Sequence, residues 1–223
     1  MPSAFGRHFY ICRLPTNSIM KKRFLLPAVL FASVLSAQNN FKPIDSIVNT
    51  IGTKVAPGFS VCVLQHYKVI YSANAGYANI ETKEKITDKT LFSLASISKQ
   101  FTASCIVLLQ QQGKLSLDDK LSKYFPDFPN AGTITLRNLL NHTSGIKDIG
   151  SVSFLRGEDD VNYSNEDIYR ILSTLDLNEA PGTKFSYTNS GYWFLAQIAE
   201  KVSRMPIEKF SQRYIFKPLK MND

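Results

Sequence analysis

The clearest alternation of apolar and polar positions lies between Phe59 and Ala75, in a stretch rich in Val, Tyr and Phe. Gln65-His66-Tyr67-Lys68 interrupts it, so the pattern predicts an antiparallel hairpin of Phe59–Leu64 and Val69–Ala75. After it the period lengthens. Ile97, Phe101, Cys105, Leu108 and Leu109 recur at helical spacing, and Gly113 suits the end of that helix. Ser116-x-x-Asp119 reads as a capping box opening a short helix to Tyr124, with Pro126 and Pro129 ending it. Thr135–Asn141 predicts another short helix, and Ser164-x-x-Asp167 opens one that runs to about Leu175. Pro181-Gly182 marks a turn. Leu195, Ile198, Ala199 and Val202 then form the stripe of a helix beginning near Ser190, and Pro206 starts a last one. A hairpin followed by a mostly helical block is an α+β pattern. A two-stranded hairpin is not stable alone, so its sheet is expected to need further strands.

One apolar run fits neither period. Phe24–Leu35 follows Lys21-Lys22-Arg23 and leads into Ser36-Ala37-Gln38. A basic start, a short apolar run and a small-residue end describe a secretory signal peptide over residues 20–38. The run is too short to span a membrane. Met20 directly precedes it, which makes residues 1–19 an upstream extension and residues 39–223 the exported domain, in the periplasm or outside the cell. No stable membrane anchor remains after cleavage.

Charge changes the picture little. The net charge is +8, of which residues 1–38 supply +5 and the rest +3. No basic run with interleaved aromatics follows, so nucleic acid is excluded as a partner. At 44% hydrophobic and 20% charged residues, the composition is that of a folded domain. Past residue 38 only Cys62 and Cys105 remain, and Cys105 sits on a helical stripe as a small buried thiol. No Cys/His spacing suits zinc, so no metal or cofactor is expected.

Candidate chemistry begins at Ser96, with Lys99 three residues on. That spacing alone is weak, since Ser18 and Lys21 repeat it inside the leader region. In the first turn of a helix, however, residues i and i+3 are neighbours about 5–6 Å apart at Cβ. The helix N-terminus also adds free N–H groups and a positive dipole end. Ser96 is then either a nucleophile beside a base or an N-cap beside a solvated lysine. Tyr187-Thr188-Asn189 raises the same question. Tyr77-Ala78-Asn79 and Tyr163-Ser164-Asn165 share its spacing, one at a strand end and one at an N-cap. Tyr187 differs in standing between a Pro-Gly turn and an amphipathic helix.

Together "SLASISKQFTA", "LLNHTSGI" and "PGTKFSYTNSGYWFLAQIAE" resemble the serine β-lactamase and penicillin-binding protein superfamily. The branch they resemble holds class C β-lactamases, D-alanyl-D-alanine carboxypeptidases and related esterases. The likeness runs from about Phe59 to the C-terminal "FKPLKMND". It implies the α/β sandwich of that superfamily, with Ser96 as nucleophile, Lys99 and Tyr187 as its proton partners, and Asn189 as a substrate contact. A serine hydroxyl needs such an adjacent base, and Lys99 can accept a proton only in its neutral form. Which of the two is the acylation base stays open. The Ser96 N–H would be half of an oxyanion hole. The implied product is an acyl-enzyme formed from β-lactams, D-Ala-D-Ala peptides or small esters by a monomer. His142 and Ser144 in "HTSG" could be read as a second base and nucleophile, but a turn is the preferred reading, and no Gly-x-Ser-x-Gly elbow supports a triad.

The sequence departs from the resemblance in one respect. It contains neither the Lys-Thr-Gly nor the His-x-Gly strand motif. The expectation is therefore of an incomplete domain over residues 39–223, short of its C-terminal sheet strands. The rival reading is a non-catalytic envelope protein that binds peptides, or an inactive fragment.

Overall fold

Two compact units divide the chain, Met1–Thr90 and Leu91–Asp223. The computed structural model describes residues 41–52, 56–150 and 163–221. The leader and upstream extension read at residues 1–38 lie outside the described residues.

In the first unit, helix α1 (Lys42–Gly52) precedes strands β1 (Phe59–Gln65) and β2 (Lys68–Ala75). The strands pair antiparallel, Phe59 opposite Ala75 and Gln65 opposite Lys68, with a register shift between Val63 and Leu64. His66 and Tyr67 both have positive φ, 49° and 61°. That is the primed two-residue turn whose twist matches the strands it joins. The hairpin read from alternation is therefore present to within a residue at each end. Tyr71 OH donates to Asp45 Oδ1 at 2.8 Å, which ties β2 to α1. A second small antiparallel sheet, β3 (Tyr77–Asn79) with β4 (Glu84–Lys85), was not legible at two and three residues.

The second unit is helical. Helix α2 (Lys99–Gln111) buries Cys105, Ile106 and Leu109. Gly113, at φ 68°, takes the left-handed position just past its end. The stripe differs from the one expected: Ile106 lies inside, while Ile97 is 62% exposed. Ile97 belongs to a 3₁₀ turn, Ala95–Ser98, that precedes α2. Phe101, Cys105, Leu108 and Leu109 do face the core as expected, and only Ile97, outside the α-helix, does not.

Asp119 does accept the Ser116 N–H at 2.9 Å, but the turn that follows is a short 3₁₀ piece, Leu121–Lys123, rather than a helix to Tyr124. Helices α3 (Leu136–Leu140) and α4 (Asn165–Ser173) each begin with a full capping box, Thr135 with Asn138 and Ser164 with Asp167. Helix α5 (Asn189–Ser203) lays Phe194, Leu195, Ile198 and Ala199 into the core. There Phe194 meets Phe125 edge-on at 5.0 Å and 82°. Each fully buried Leu, Ile or Phe of this core contributes about 1.5–3 kcal/mol. Pro206 is the N-cap of a short α6 (Ile207–Ser211), which widens into a π turn over Gln212–Phe216. Helices around one core, together with small antiparallel sheets, make an α+β fold.

Candidate functional site

The site is built by two segments of the second unit. Ala95 opens the 3₁₀ turn with φ 43°, uncommon for a residue with a Cβ. In a 3₁₀ turn side chains at i and i+3 eclipse one another. Ser96 and Lys99 are so brought together by the turn, not by the first turn of an α-helix as expected. Lys99 Nζ donates to Ser96 Oγ at 3.1 Å.

The other segment comes 91 residues later. Tyr187 OH donates to Ser96 Oγ at 2.7 Å. Lys99 Nζ also donates to Asn189 Oδ1 at 2.6 Å. Lys99 and Tyr187 thus meet at the Ser96 hydroxyl, and Asn189 joins them through Lys99. Ser96 is exposed, Lys99 half-buried and Tyr187 47% exposed, so the hydroxyl stands open to solvent. Lys99 Nζ lies 4.9 Å from the centroid of the Tyr187 ring and 5.7 Å from that of Tyr192. The Lys99 ammonium first, and then the bond with Ser96 Oγ, hold the Tyr187 phenol below its ordinary value near 10, against loss of solvent and, less, the charge of Asp148. A phenol beside a cation is easier to ionise.

What fixes Tyr187 and Asn189 in place was not read from the sequence. Thr188 is buried and caps α5, its Oγ1 accepting the Ser190 N–H at 3.1 Å. Asp148 Oδ1 accepts the Asn189 N–H, placing a carboxylate at the positive end of α5. The buried Ser190 Oγ donates to the Lys147 carbonyl at 2.7 Å and accepts the Ile149 N–H at 2.8 Å. Residues 147–149 are in this way stitched to the start of α5. The approach is close on the other side too. A Cβ at Gly145, whose φ is 75°, would stand 2.0 Å from the Glu179 carbonyl oxygen. Only glycine allows the loop after α3 to run beside residues 178–182. There the Gly145 carbonyl accepts the Asn178 N–H and the Thr143 carbonyl accepts the Gly182 N–H, each at 2.8 Å.

"HTSG" divides in two. Ser144 is buried and its Oγ accepts the Ile146 N–H at 3.3 Å, so it belongs to the turn. His142 instead reaches the Tyr187 segment, where its Nδ1 accepts the Thr188 N–H at 3.3 Å. Cys105 is fully buried, and burial pushes its thiol up to about 11. Among the described residues no three His, Cys, Asp or Glu side chains are placed to hold a metal ion.

Residues 44–223 match the Beta-lactamase family. Penicillin-binding protein 4* of Bacillus subtilis (strain 168) is 36% identical over 188 residues, which cover 83% of this chain and 42% of the relative. An octameric penicillin-binding protein homologue from Pyrococcus abyssi superposes with a TM-score of 0.69 at 31% identity, over 81% of this chain and 43% of the other. The D-amino acid amidase of Ochrobactrum anthropi SV3, solved with L-phenylalanine amide, gives a TM-score of 0.71 at 28% identity, over 82% and 50%. The chain spans less than half the length of the curated relative it matches.

Proposed function

Since the chain belongs to the β-lactamase family, within a superfamily of serine hydrolases, we propose that it forms a covalent acyl-enzyme at Ser96 from amides or esters. The observation that carries this reading is the convergence of Lys99 Nζ and Tyr187 OH on Ser96 Oγ, at 3.1 and 2.7 Å. In it Tyr187 is the base and Lys99 the cation that makes the base available. With its phenol ionised, Tyr187 takes the Ser96 proton while Ser96 Oγ bonds to the substrate carbonyl carbon and the carbonyl electron pair moves onto its oxygen. Tyr187 returns that proton to the departing amine or alkoxide as the old bond breaks. Water then releases the acyl group by the same exchange in reverse. The lowered position of the Tyr187 phenol supports this assignment, as do the two bonds Lys99 Nζ donates, to Ser96 and to Asn189. Asn189, its Oδ1 engaged by Lys99, keeps its amide nitrogen to donate to the substrate carbonyl.

The substrates proposed are β-lactams, D-Ala-D-Ala peptides and small esters. The penicillin-binding and D-amino acid amidase relatives support the amide members of that set. Export is proposed on the leader sequence at residues 20–38. The second reading is a peptide-binding protein on the same scaffold, without turnover.

Intact mass separates the two readings. The full chain and Ser96→Ala are incubated with a fluorophosphonate and, separately, with a penicillin. A mass increase that needs Ser96 is expected. No adduct in a chain that circular dichroism shows to be folded would favour the binding role.

A further inference from the structure

His142 follows α3 in a left-handed backbone conformation, φ 59°. From there it meets the Tyr187 segment four times, one of them an edge-on contact with the Phe185 ring at 5.8 Å. Its carbonyl accepts the Ser186 N–H at 2.8 Å. Its Nδ1 accepts the Thr188 N–H at 3.3 Å. Its ring lies on the Tyr187 ring, centroids 4.5 Å apart and 34° from parallel. The residues on both sides of Tyr187, and Tyr187 itself, thus rest on a single residue. Ser96 Oγ is bonded by Lys99 and Tyr187 rather than by the imidazole.

We infer that His142 is a positioning residue that aims Tyr187 at Ser96, and that it does so only as neutral imidazole. Nδ1 must be the acceptor, so the proton sits on Nε2. A proton gained at Nδ1 turns an acceptor into a donor facing another donor, the Thr188 N–H. It also sets a second cation near Lys99. The charged and titratable groups on the elements around the ring are Lys99 of α2, Tyr187, Tyr192 of α5 and Asp148 of the loop after α3. Burial first, then the Lys99 charge, hold the imidazole below its ordinary value near 6.5. It is therefore neutral at neutral pH and loses its hold on the segment in acid. This role rests on the hydrolase reading, because it is expressed through Tyr187.

Acylation of the full chain by a fluorophosphonate, followed by intact mass between about pH 5 and 8, where histidine titrates, tests it. His142→Phe keeps a ring against Tyr187 and removes the acceptor. Its maximal acylation rate should fall about 10- to 100-fold, the scale of a small misplacement of a reacting group, with the half-saturating concentration unchanged. His142→Asn puts an amide oxygen where Nδ1 was and suits the positive φ. It should recover most of the rate and lose the extra steepness that the parent shows below its histidine titration. Parental rates in both variants, or one shared acid profile, overturn the positioning role alone. If His142→Phe does not fold, the parent and His142→Asn decide by their acid profiles. No acylation of the parent defeats the hydrolase reading and this role with it.

Discussion

Residues 91–98 and residues 185–191 deliver side chains to the same hydroxyl, yet they are held in opposite ways. The serine segment carries its apolar side chains outward: Leu91 is 83% exposed, Phe92 and Leu94 47%, and Ile97 62%. Its shape comes from a 3₁₀ turn and one residue of positive φ. The tyrosine segment is the reverse. Thr188, Ser190 and Gly191 are buried, and His142, Lys147, Asp148 and Ile149 all bond its backbone or hydroxyls. Tyr187 is thus fixed from several directions, and Ser96 by the two side chains that bond its hydroxyl. The difference teaches that the site's precision resides in α5 and the loop after α3, with Ser96 presented to it.

Five changes break or sharpen that contrast. Ser96→Ala should abolish the fluorophosphonate adduct with little change in melting temperature, since the exposed hydroxyl accepts from the Lys99 and Tyr187 side chains rather than from the backbone; a lowered melt would show that the serine segment is structural. Tyr187→Phe should cut the acylation rate by about 10²–10⁴-fold, the usual contribution of a general base. The parent rate should rise with pH up to a midpoint below 10, because the phenol is held low and must be ionised to act, and the variant should lose that rise. Calorimetry should find Leu139→Ala, fully buried in α3, destabilising by about 2–5 kcal/mol. Asp148→Ala should cost about 0.5–2 kcal/mol of stability, the range for a lost helix cap, and slow acylation because Asn189 loosens. On the serine side Leu91→Ala should stay within about 0.5 kcal/mol, as exposed substitutions do. Equal costs at positions 91 and 148 would erase the contrast.

What the sequence disclosed follows the range of the forces involved. The hairpin, the capping box at Ser164 and the C-terminal Gly113 rest on residues within a few positions of one another, and all were legible. The 3₁₀ turn was not, because Ala95 has no residue-type reason to take a positive φ and adopts it in tertiary context. That turn is why Ile97 was placed on the wrong face. The meeting of Ser96, Lys99, Tyr187 and Asn189 came from motif resemblance rather than from any local pattern. Asp148 and Ser190 carried no signal, because their partners lie 41 to 43 residues away. The turn preferred for His142–Gly145 is present, with Ser144 inside it; that the His142 imidazole serves the tyrosine segment had no local signal.

The bonds that complete the site join residues 90 and 91 positions apart in sequence. Such contacts form late in folding, after long loops have closed. On the proposed reading, Ser96 is activated only in molecules where α2 and α5 have found each other. A brief pulse of fluorophosphonate during refolding would therefore time that encounter, while circular dichroism, which sees helices within each segment, would run ahead of it. On that reading Ser96 doubles as a clock for long-range closure.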